Sequence, residues 1–217
     1  MLLQRHLPMS PFRQYRPLEY DEFIVAFGDT ATGGGDACAC AFFSTKYLDF
    51  PLVYHSDMSA TVMTNLLHPV LERIHDVTGL APVIAYETNN GGVFELERLS
   101  SMNRANKYRI YKMRTYGKVE NEEESKIGWN TNTATRPAML KDYKEAVDKM
   151  LVRIFDKPTI SQHYSFIINK QGKPEAEAGA HDDLIITHAG CYQLYQTEKP
   201  IRHDYRQSYN RQKWSIQ

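Results

Sequence analysis

Three apolar runs joined by short polar connections stand near the start of the chain, and they constrain its fold most strongly. They occupy residues 23–27, 37–43 and 48–54, and each has the length and composition of a buried strand. Because consecutive runs are separated by only a few residues, the pattern predicts an antiparallel meander. The glycine-rich segment 29–36 forms the first of its turns.

An amphipathic helix is predicted next, and it separates the meander from a fourth strand at residues 81–86. We expect Ser56 or Asp57 to cap its start and Gly79 to end it. Its apolar face is predicted from residues that recur every four positions, with three more beside them: Val62, Leu66, Val70, Ile74, and Met63, Leu67, Leu71. A strand, a helix and a strand in this order favour a parallel crossover.

The remainder of the chain alternates between helix and strand patterns. We predict a helix to about residue 103, a fifth strand at 108–111, a solvated glutamate-rich loop at 120–125 and a buried last helix at 184–195. Another helix begins near Pro137, with one face formed by Leu140, Tyr143, Val147, Met150 and Ile154. Residues 1–20 are expected to form an extended linker, 21–200 one α/β domain, and 201–217 a basic tail.

Composition excludes several classes of protein. The longest apolar run, residues 80–86, is far shorter than the roughly 18 residues that span a bilayer. No signal-peptide pattern is present, and three cysteines make a disulfide framework improbable, so we expect a cytosolic protein. Cys38 and Cys40 are interpreted as small core residues rather than zinc ligands.

Carboxylates stand at the ends of three predicted buried elements. Asp29 follows the first strand, Glu87 ends the fourth, and Asp182 and Asp183 open the last helix. Oxygen ligands of this kind suit Mg²⁺ or Mn²⁺, and a carboxylate cluster repels itself unless cations neutralise it. Two such ions, roughly 3.5–4 Å apart, can activate a water and stabilise the leaving oxygen of a phosphodiester.

Each carboxylate also has a simpler interpretation when taken alone. Asp29 could form a turn, and Asp182 or Asp183 could be a helix N-cap, whereas Glu87 has no capping role at its position. Successive helical residues project about 100° apart, so only one of the adjacent pair can face a given point directly. We favour Asp183 as the primary ligand, since Thr187 and Gly190 on its face would leave room for metal and phosphate, with Asp182 capping the helix or touching a second ion.

Four further segments stand out, in this order: residues 25–36 (VAFGDTATGGGD), 83–92 (VIAYETNNGG), 128–137 (GWNTNTATRP) and 179–184 (GAHDDL). Together they resemble the nuclease domain of tailed-phage terminase large subunits, in a match that spans roughly residues 20–195. The resemblance implies a ribonuclease H-like α/β fold, a mixed β-sheet flanked by helices on both faces. It also implies a two-metal DNA endonuclease that cleaves concatemeric viral DNA during genome packaging.

Carried over by position, the resemblance implies that Asp29, Glu87 and Asp183 are catalytic and bind two Mg²⁺ or Mn²⁺ ions, helped by Asp182. His181 could orient a carboxylate or a water, or be purely structural, and Asp36 could assist the site or cap a turn. Double-stranded DNA would be the substrate, in the cytoplasm of the infected bacterium. The terminase small subunit, the portal protein and an ATPase domain would be partners, and no membrane is implied.

One departure from the family pattern is large. No Gly-x-x-x-x-Gly-Lys-Ser/Thr loop for ATP is present. The chain thus resembles the nuclease half alone, either as an excised part or as the product of a truncated or split gene. Two alternatives stay open: another ribonuclease H-like nuclease such as a junction resolvase, and a non-catalytic DNA-binding packaging module.

The charges of the chain are unevenly distributed although they sum to zero, with 26 Lys and Arg against 26 Asp and Glu. Residues 98–118 contain seven basic residues and no acidic one, and residues 199–213 contain five against one. Candidate DNA contacts in the first segment are Arg104, Lys107, Arg109, Lys112 and Arg114. For each of them a solvated surface position is an equal alternative. Zero net charge therefore does not exclude nucleic acid, because a basic surface around an acidic pocket produces the same sum.

Overall fold

The computed structural model describes residues 10–31, 37–89, 91–116 and 123–201. The described part of the chain contains both helices and strands, as the sequence pattern predicts. In chain order the elements are β1 (Phe12–Gln14), β2 (Ile24–Asp29), β3 (Cys38–Ser44), β4 (Asp49–Ser56), α1 (Ala60–Thr78), β5 (Val83–Tyr86), α2 (Gly92–Met102), β6 (Arg109–Ile110), β7 (Lys112–Tyr116), β8 (Glu123–Ile127), α3 (Thr135–Asp148), α4 (Lys157–Tyr164), β9 (Phe166–Ile168), β10 (Pro174–Ala176) and α5 (Asp183–Thr197).

A six-stranded mixed sheet in the order β1-β4-β3-β2-β5-β6 forms the centre of the fold. β2, β3 and β4 pair antiparallel, which confirms the predicted meander. β5 pairs parallel with β2, as predicted for a strand reached through the crossover helix α1. Two further antiparallel hairpins, β7–β8 and β9–β10, lie outside this sheet.

The sheet is covered by helices on both faces, which confirms the predicted layers. Side chains alternate along β2, so Ile24 and Ala26 share a core with α1 and α2, whereas Val25 and Phe27 share a core with α3 and α5. The predicted core cysteines Cys38 and Cys40 are buried in the first of these cores. No helix in the described part of the chain is long and apolar enough to cross a membrane.

Helix α1 begins later and buries a different row than the sequence pattern predicts. Its N-cap is Ser59, whose side chain accepts a hydrogen bond from the Val62 amide, rather than Ser56 or Asp57. The buried row is Met63, Leu67, Leu71 and Ile74, whereas Val62 is exposed. Two adjacent apolar rows run along this helix, and only packing on the sheet selects between them.

The described part of the N-terminal lead-in is a packed element rather than a linker. Phe12–Gln14 forms the edge strand β1 and pairs antiparallel with β4. Arg13 Nη2 lies 3.1 Å from Asp156 Oδ2, and Arg16 Nη2 lies 2.6 Å from Glu22 Oε1 and 2.6 Å from Asp49 Oδ1. The three carboxylates are buried, so each basic side chain neutralises charge that the domain could not otherwise bury.

The second half of the chain contains further differences from the predicted elements. Residues 123–125 of the predicted loop belong to β8, which is Glu123–Ile127, and residues 117–122 lie outside the described ranges. Helix α3 ends at Asp148, and Met150 has a positive φ and is 87% exposed, so the prediction of one helix face through Ile154 is wrong. A new helix, α4, starts where Asp156 accepts a hydrogen bond from the Thr159 amide. Of the predicted basic tail, only residue 201 is described.

Candidate metal-binding active site

Asp29 and Glu87 lie side by side at one end of the sheet. Gly28 pairs with Tyr86 in the parallel β2–β5 ladder, and the Glu87 amide donates to the Gly28 carbonyl at 2.9 Å. Phe27 and Ala85 belong to the core under α5. Side chains two residues apart on a strand share a face, so Asp29 and Glu87 also face α5.

Helix α5 brings Asp183 to the same place. The Cys191 thiol lies 3.8 Å from the Val25 carbonyl, which fixes how α5 lies along β2. From Cys191 back to Asp183 the helix covers about 12 Å, and from Val25 forward to Asp29 the strand covers about 13 Å. The first residue of α5 therefore reaches the end of β2.

The electrostatics of Asp29 show that the four predicted carboxylates converge. Burial raises the pKa of Asp29 well above its ordinary value, and the charges of Glu87, Asp183 and Asp182 raise it further, while Arg136 opposes the shift. Burial and neighbouring negative charge both disfavour the ionised carboxylate, and a bound cation would offset both effects. The structure thus brings together residues that lie far apart in the sequence.

Glu87 is held in place by two loops that the sequence analysis treated as separate motifs. Its Oε1 accepts a hydrogen bond from Asn89 Nδ2 at 2.9 Å, and Trp129 pairs beside it, donating its amide to the Tyr86 carbonyl at 2.9 Å. A Cβ on Gly92 would lie 1.9 Å from the Glu87 carbonyl oxygen. Only glycine allows the start of α2 to pass this close to Glu87.

Asp182 and Asp183 have different environments, and of the two roles suggested for Asp182, a side-chain cap on α5 is not observed. Asp182 occupies the N-cap position, but its side chain makes no capping hydrogen bond and pairs instead with Arg136 Nη2 at 2.7 Å. Gln162 Oε1 accepts from the Leu184 amide at 2.9 Å and supplies a hydrogen bond to the first turn of the helix. Asp183 is buried, and its Oδ2 has no hydrogen-bond partner among the described residues.

The small residues that follow Asp183 on its helix face do not make room for a ligand. Thr187 is fully buried, and a Cβ on Gly190 would lie 2.3 Å from the Phe27 ring. These positions let α5 approach β2 closely, which in turn sets the position of Asp183. The expectation of ligand space beside Thr187 and Gly190 is therefore wrong.

The histidine nearest to the carboxylates is not the one that the sequence suggested. His181 is exposed and makes no hydrogen bond or ion pair with any residue that the structure describes. His55 in β4 instead places Nε2 3.9 Å from Asp183 Oδ2. Its signal in the sequence was a polar residue directly after the third predicted strand, residues 48–54. Asp36 lies outside the described residues.

Arg136 is a second site residue that the sequence analysis did not single out. It lies in the first turn of α3, and its charge acts on both Asp182 and Asp29. The only signal available was its place in the Thr-Arg-Pro segment at a predicted helix start. Its guanidinium partly neutralises the acidic cluster from the α3 side.

The candidate DNA contacts are spread over the opposite end of the sheet and the β7–β8 hairpin. Arg109 pairs with Val83 at the start of β5, Lys107 forms an ion pair with Asp76 at 2.8 Å, and Arg109 forms one with Glu198 at 3.0 Å. Arg104 is exposed in the turn after α2. Lys112 and Arg114 lie in β7. A groove of about 370 Å³ lined by Thr88, Lys126 and Asn130 lies between this hairpin and Glu87.

The carboxylates stand close enough to repel one another but do not form a closed ligand cage. Within the described ranges, no three His, Cys, Asp or Glu side chains are arranged to hold a metal ion as they stand. The buried carboxylate of Asp183, which forms no ion pair with a Lys or Arg among the described residues, and the raised pKa of Asp29 nevertheless fit a cation site, because a cation offsets the charge of both. The donor set consists of hard oxygen atoms, which suits Mg²⁺ or Mn²⁺.

Comparison with known proteins gives no match in sequence and clear matches in structure. No protein-family profile and no curated protein sequence matches significantly. The large terminase nuclease of the thermophilic phage G20c with bound cobalt has a TM-score of 0.58 at 14% identity, covering 85% of this chain and 87% of that chain. The large terminase nuclease domain of the Thermus phage P74-26 has a TM-score of 0.57 at 12% identity, covering 94% and 95%.

A related fold also occurs outside phages. The terminase nuclease domain of human cytomegalovirus, soaked in manganese with an inhibitor bound, has a TM-score of 0.57 at 10% identity, covering 82% of this chain and 89% of that chain. The strand order, the helices on both faces and these superpositions agree with one another. The chain therefore has the ribonuclease H-like fold of the nuclease domains of viral large terminases.

Proposed function

We propose that this chain is a divalent-metal-dependent DNA endonuclease, the nuclease part of a viral large terminase that cuts concatemeric DNA during genome packaging. The observation that carries the proposal is the convergence of Asp29, Glu87, Asp182 and Asp183, in which burial first and then the neighbouring negative charges raise the pKa of Asp29. Buried carboxylates that repel one another at the end of a sheet destabilise a domain, and such perturbed clusters mark functional sites.

The solved structures with this fold support a metal-dependent reaction. The phage G20c nuclease has been crystallised with cobalt, magnesium and zinc, and the cytomegalovirus domain has been soaked in manganese. In this chain we assign Asp29, Glu87 and Asp183 as the ligands of two Mg²⁺ or Mn²⁺ ions, with Asp182 assisting. A bound pair of such ions supplies a stronger nucleophile at neutral pH and offsets the negative charge that develops in phosphodiester cleavage.

The protein groups around the carboxylates have separate tasks in this proposal. Asn89 donates to Glu87 and fixes the direction of its second oxygen. Arg136 holds Asp182 and reduces the net negative charge that a DNA phosphate meets on approach. Asp29 and Asp183 supply the oxygens from the two sides, β2 and α5, and small side-chain rotations would draw them together around a cation.

The substrate and partners are part of the same proposal. Double-stranded DNA is the substrate, with Lys126 of the β7–β8 hairpin as a basic side chain that lines the groove next to Thr88. The small terminase subunit, the portal protein and a terminase ATPase domain are proposed partners. We propose no ATP hydrolysis by these residues, because the sequence contains no phosphate-binding loop of the Walker A type.

The proposal is tested with supercoiled plasmid in Mn²⁺, in Mg²⁺ and in excess chelator. We expect cleavage with the metals and none with chelator. The cleavage rate of Asp29→Asn should fall roughly 100-fold or more, because removing a metal ligand should cost more than the 10–100-fold cost of removing an outer-shell partner. Asp148→Asn makes the same chemical change at an exposed position of α3 and is the matched control.

Three results would contradict the proposal. Undiminished cutting by Asp29→Asn would remove the carboxylate site from the reaction. Wild-type protein that neither cuts nor binds Mn²⁺ would favour a non-catalytic DNA-binding module. Cutting confined to four-way junctions, with linear duplex left intact, would favour a junction resolvase.

A further inference from the structure

His55 lies in the same row of the sheet as Asp29. In the register of the meander, Asp29 pairs with Ala39 and Ala39 pairs with His55, so the three side chains project from one face. That face is the one covered by α5, since Val53, two residues earlier in β4, packs with Ala39 and Leu184 of α5. Ala39 is too small to fill the space between its two neighbours.

The imidazole of His55 points at an oxygen of Asp183 that is otherwise unpartnered. Nε2 of His55 and Oδ2 of Asp183 are 3.9 Å apart. Both atoms are buried and have no hydrogen-bond partner among the described residues. The separation exceeds the 2.7–3.2 Å of a hydrogen bond by less than about 1 Å. Two facing buried polar groups of this kind gain from pairing, because each alone bears a desolvation cost.

The backbone around His55 is fixed, so its side chain has a defined reach. The His55 amide donates to the Pro11 carbonyl at 3.0 Å, and β4 lies between β1 and β3 in the sheet. Asp183 is equally fixed by the packing of α5 on β2. A small change in side-chain torsion closes the gap without movement of the backbone.

We propose that His55 is a positioning residue for Asp183, donating a hydrogen bond from Nε2 to Oδ2 and turning the other carboxylate oxygen toward Asp29. Its role in metal binding rests on the proposed function, whereas the pairing itself does not. Metal-ligating carboxylates are commonly oriented by such outer-shell donors. Arg136 donates to Asp182 rather than to Asp183 in the structure.

The pairing is tested without metal by a double-mutant cycle in chelator. The variants are His55→Ala, Asp183→Ala and the double variant, and the measured quantity is the unfolding equilibrium constant in urea. We expect the effect of the double variant to differ at least fivefold from the product of the two single effects, as for contacting residues. Additive effects would overturn the pairing whether or not the protein binds metal.

The positioning role is tested by Mn²⁺ titration calorimetry and by plasmid cleavage kinetics. We expect His55→Ala to weaken Mn²⁺ binding 10–100-fold and to lower kcat at fixed Mn²⁺ while KM for DNA stays unchanged. His55→Gln keeps an amide donor and is expected to recover at least half of the lost affinity on a logarithmic scale. His75→Ala, a histidine on α1, is the matched control and should equal wild type.

The outcomes separate this inference from the proposed function. Wild-type Mn²⁺ affinity in His55→Ala would overturn the positioning role while leaving the nuclease assignment in place. Equal losses of Mn²⁺ affinity in His55→Ala and His55→Gln would also overturn the positioning role, because the hydrogen-bond donor would then make no difference. A wild-type chain without Mn²⁺ binding or cleavage would overturn the proposed function and the metal role together, and the cycle would still decide the pairing.

Discussion

The close approach of α5 to β2 at Gly190 controls both the stability of the domain and the geometry of its carboxylates. An added Cβ would lie 2.3 Å from two atoms of the Phe27 ring. Carbon atoms in ordinary contact are about 3.5–4.0 Å apart. In Gly190→Ala the helix must therefore move away by about 1 Å, since Phe27 is fully buried and has no free space to enter.

The magnitude follows from two opposing effects. Overpacking of a core costs about 1–3 kcal/mol, and the severity of this contact places Gly190→Ala near the upper end of that range. Replacing glycine by alanine inside a helix returns about 1 kcal/mol. We expect a net loss of about 2 kcal/mol in the free energy of unfolding. For a domain of this size that loss lowers Tm by about 4–8 °C.

The change should also appear in activity. Asp29 lies two residues beyond Phe27 on β2, and Asp183 lies at the start of the displaced helix. A misplacement of about 1 Å between reacting groups can cost on the order of 100-fold in rate. Plasmid cleavage by folded Gly190→Ala should therefore fall by about that factor.

Urea unfolding, thermal melting and plasmid cleavage measure these effects. Gln196→Ala introduces the same side chain at an exposed position of α5 and should change stability by no more than about 0.5 kcal/mol. A Gly190→Ala protein as stable as wild type, or more stable, would refute the conclusion that α5 and β2 leave no room for a side chain at this position. Full activity in a destabilised variant would refute the link between the helix position and the site.

Three further predictions concern charge. In chelator, Asp29→Asn should melt at a higher temperature than wild type, because it removes one of several repelling charges. Mn²⁺ should no longer raise the melting temperature of this variant. A lower melting temperature than wild type in chelator would contradict the repulsion. Arg13→Ala should cost about 3 kcal/mol at pH 7, because it leaves Asp156 buried without its cation. The same ion pair holds the pKa of Asp156 below its usual range, so the stability lost in Arg13→Ala should shrink as pH falls below about 3.9. A stability difference between wild type and Arg13→Ala that stays constant with pH would contradict this prediction. Burial lowers the pKa of His188 to about 3, so the free energy of unfolding of wild type should fall by up to about 1.4 kcal/mol per pH unit between about pH 6.5 and about pH 4. In urea unfolding, His188→Phe should show a smaller dependence on pH. The same dependence in both proteins would contradict the buried, neutral state of His188.

Local pattern was enough to predict most of the central sheet and the positions of the main carboxylates, but not the edge strand β1. The meander, the crossover helix and the parallel strand β5 follow from apolar runs and connection lengths, which are properties of neighbouring residues. Asp29 and Glu87 were recognisable because each stands at the end of a run that had to be buried. Parallel strands end at the same edge of a sheet, so their proximity was a consequence of that topology.

Some boundaries depend on interactions that no local pattern contains. Helix α3 carries apolar residues at helical spacing beyond Asp148, but the chain leaves the helix where Met150 adopts a positive φ. The lead-in contains three prolines and looks like a linker, yet Arg13 and Arg16 attach it to buried carboxylates. These ion pairs join residues more than 30 positions apart, except for the pair between Arg16 and Glu22.

By itself the sequence determined which residue types stand at the ends of the buried elements, and hence that a carboxylate site was available to this chain. Only the tertiary structure decided which neighbours act on those carboxylates. It placed His55 beside Asp183, Arg136 on Asp182, and Gly190 against Phe27. The physical reason is that these contacts join strands and helices that are distant in the sequence. The register of β4 and the distance between α5 and the sheet are set by packing of the whole core rather than by adjacent residues.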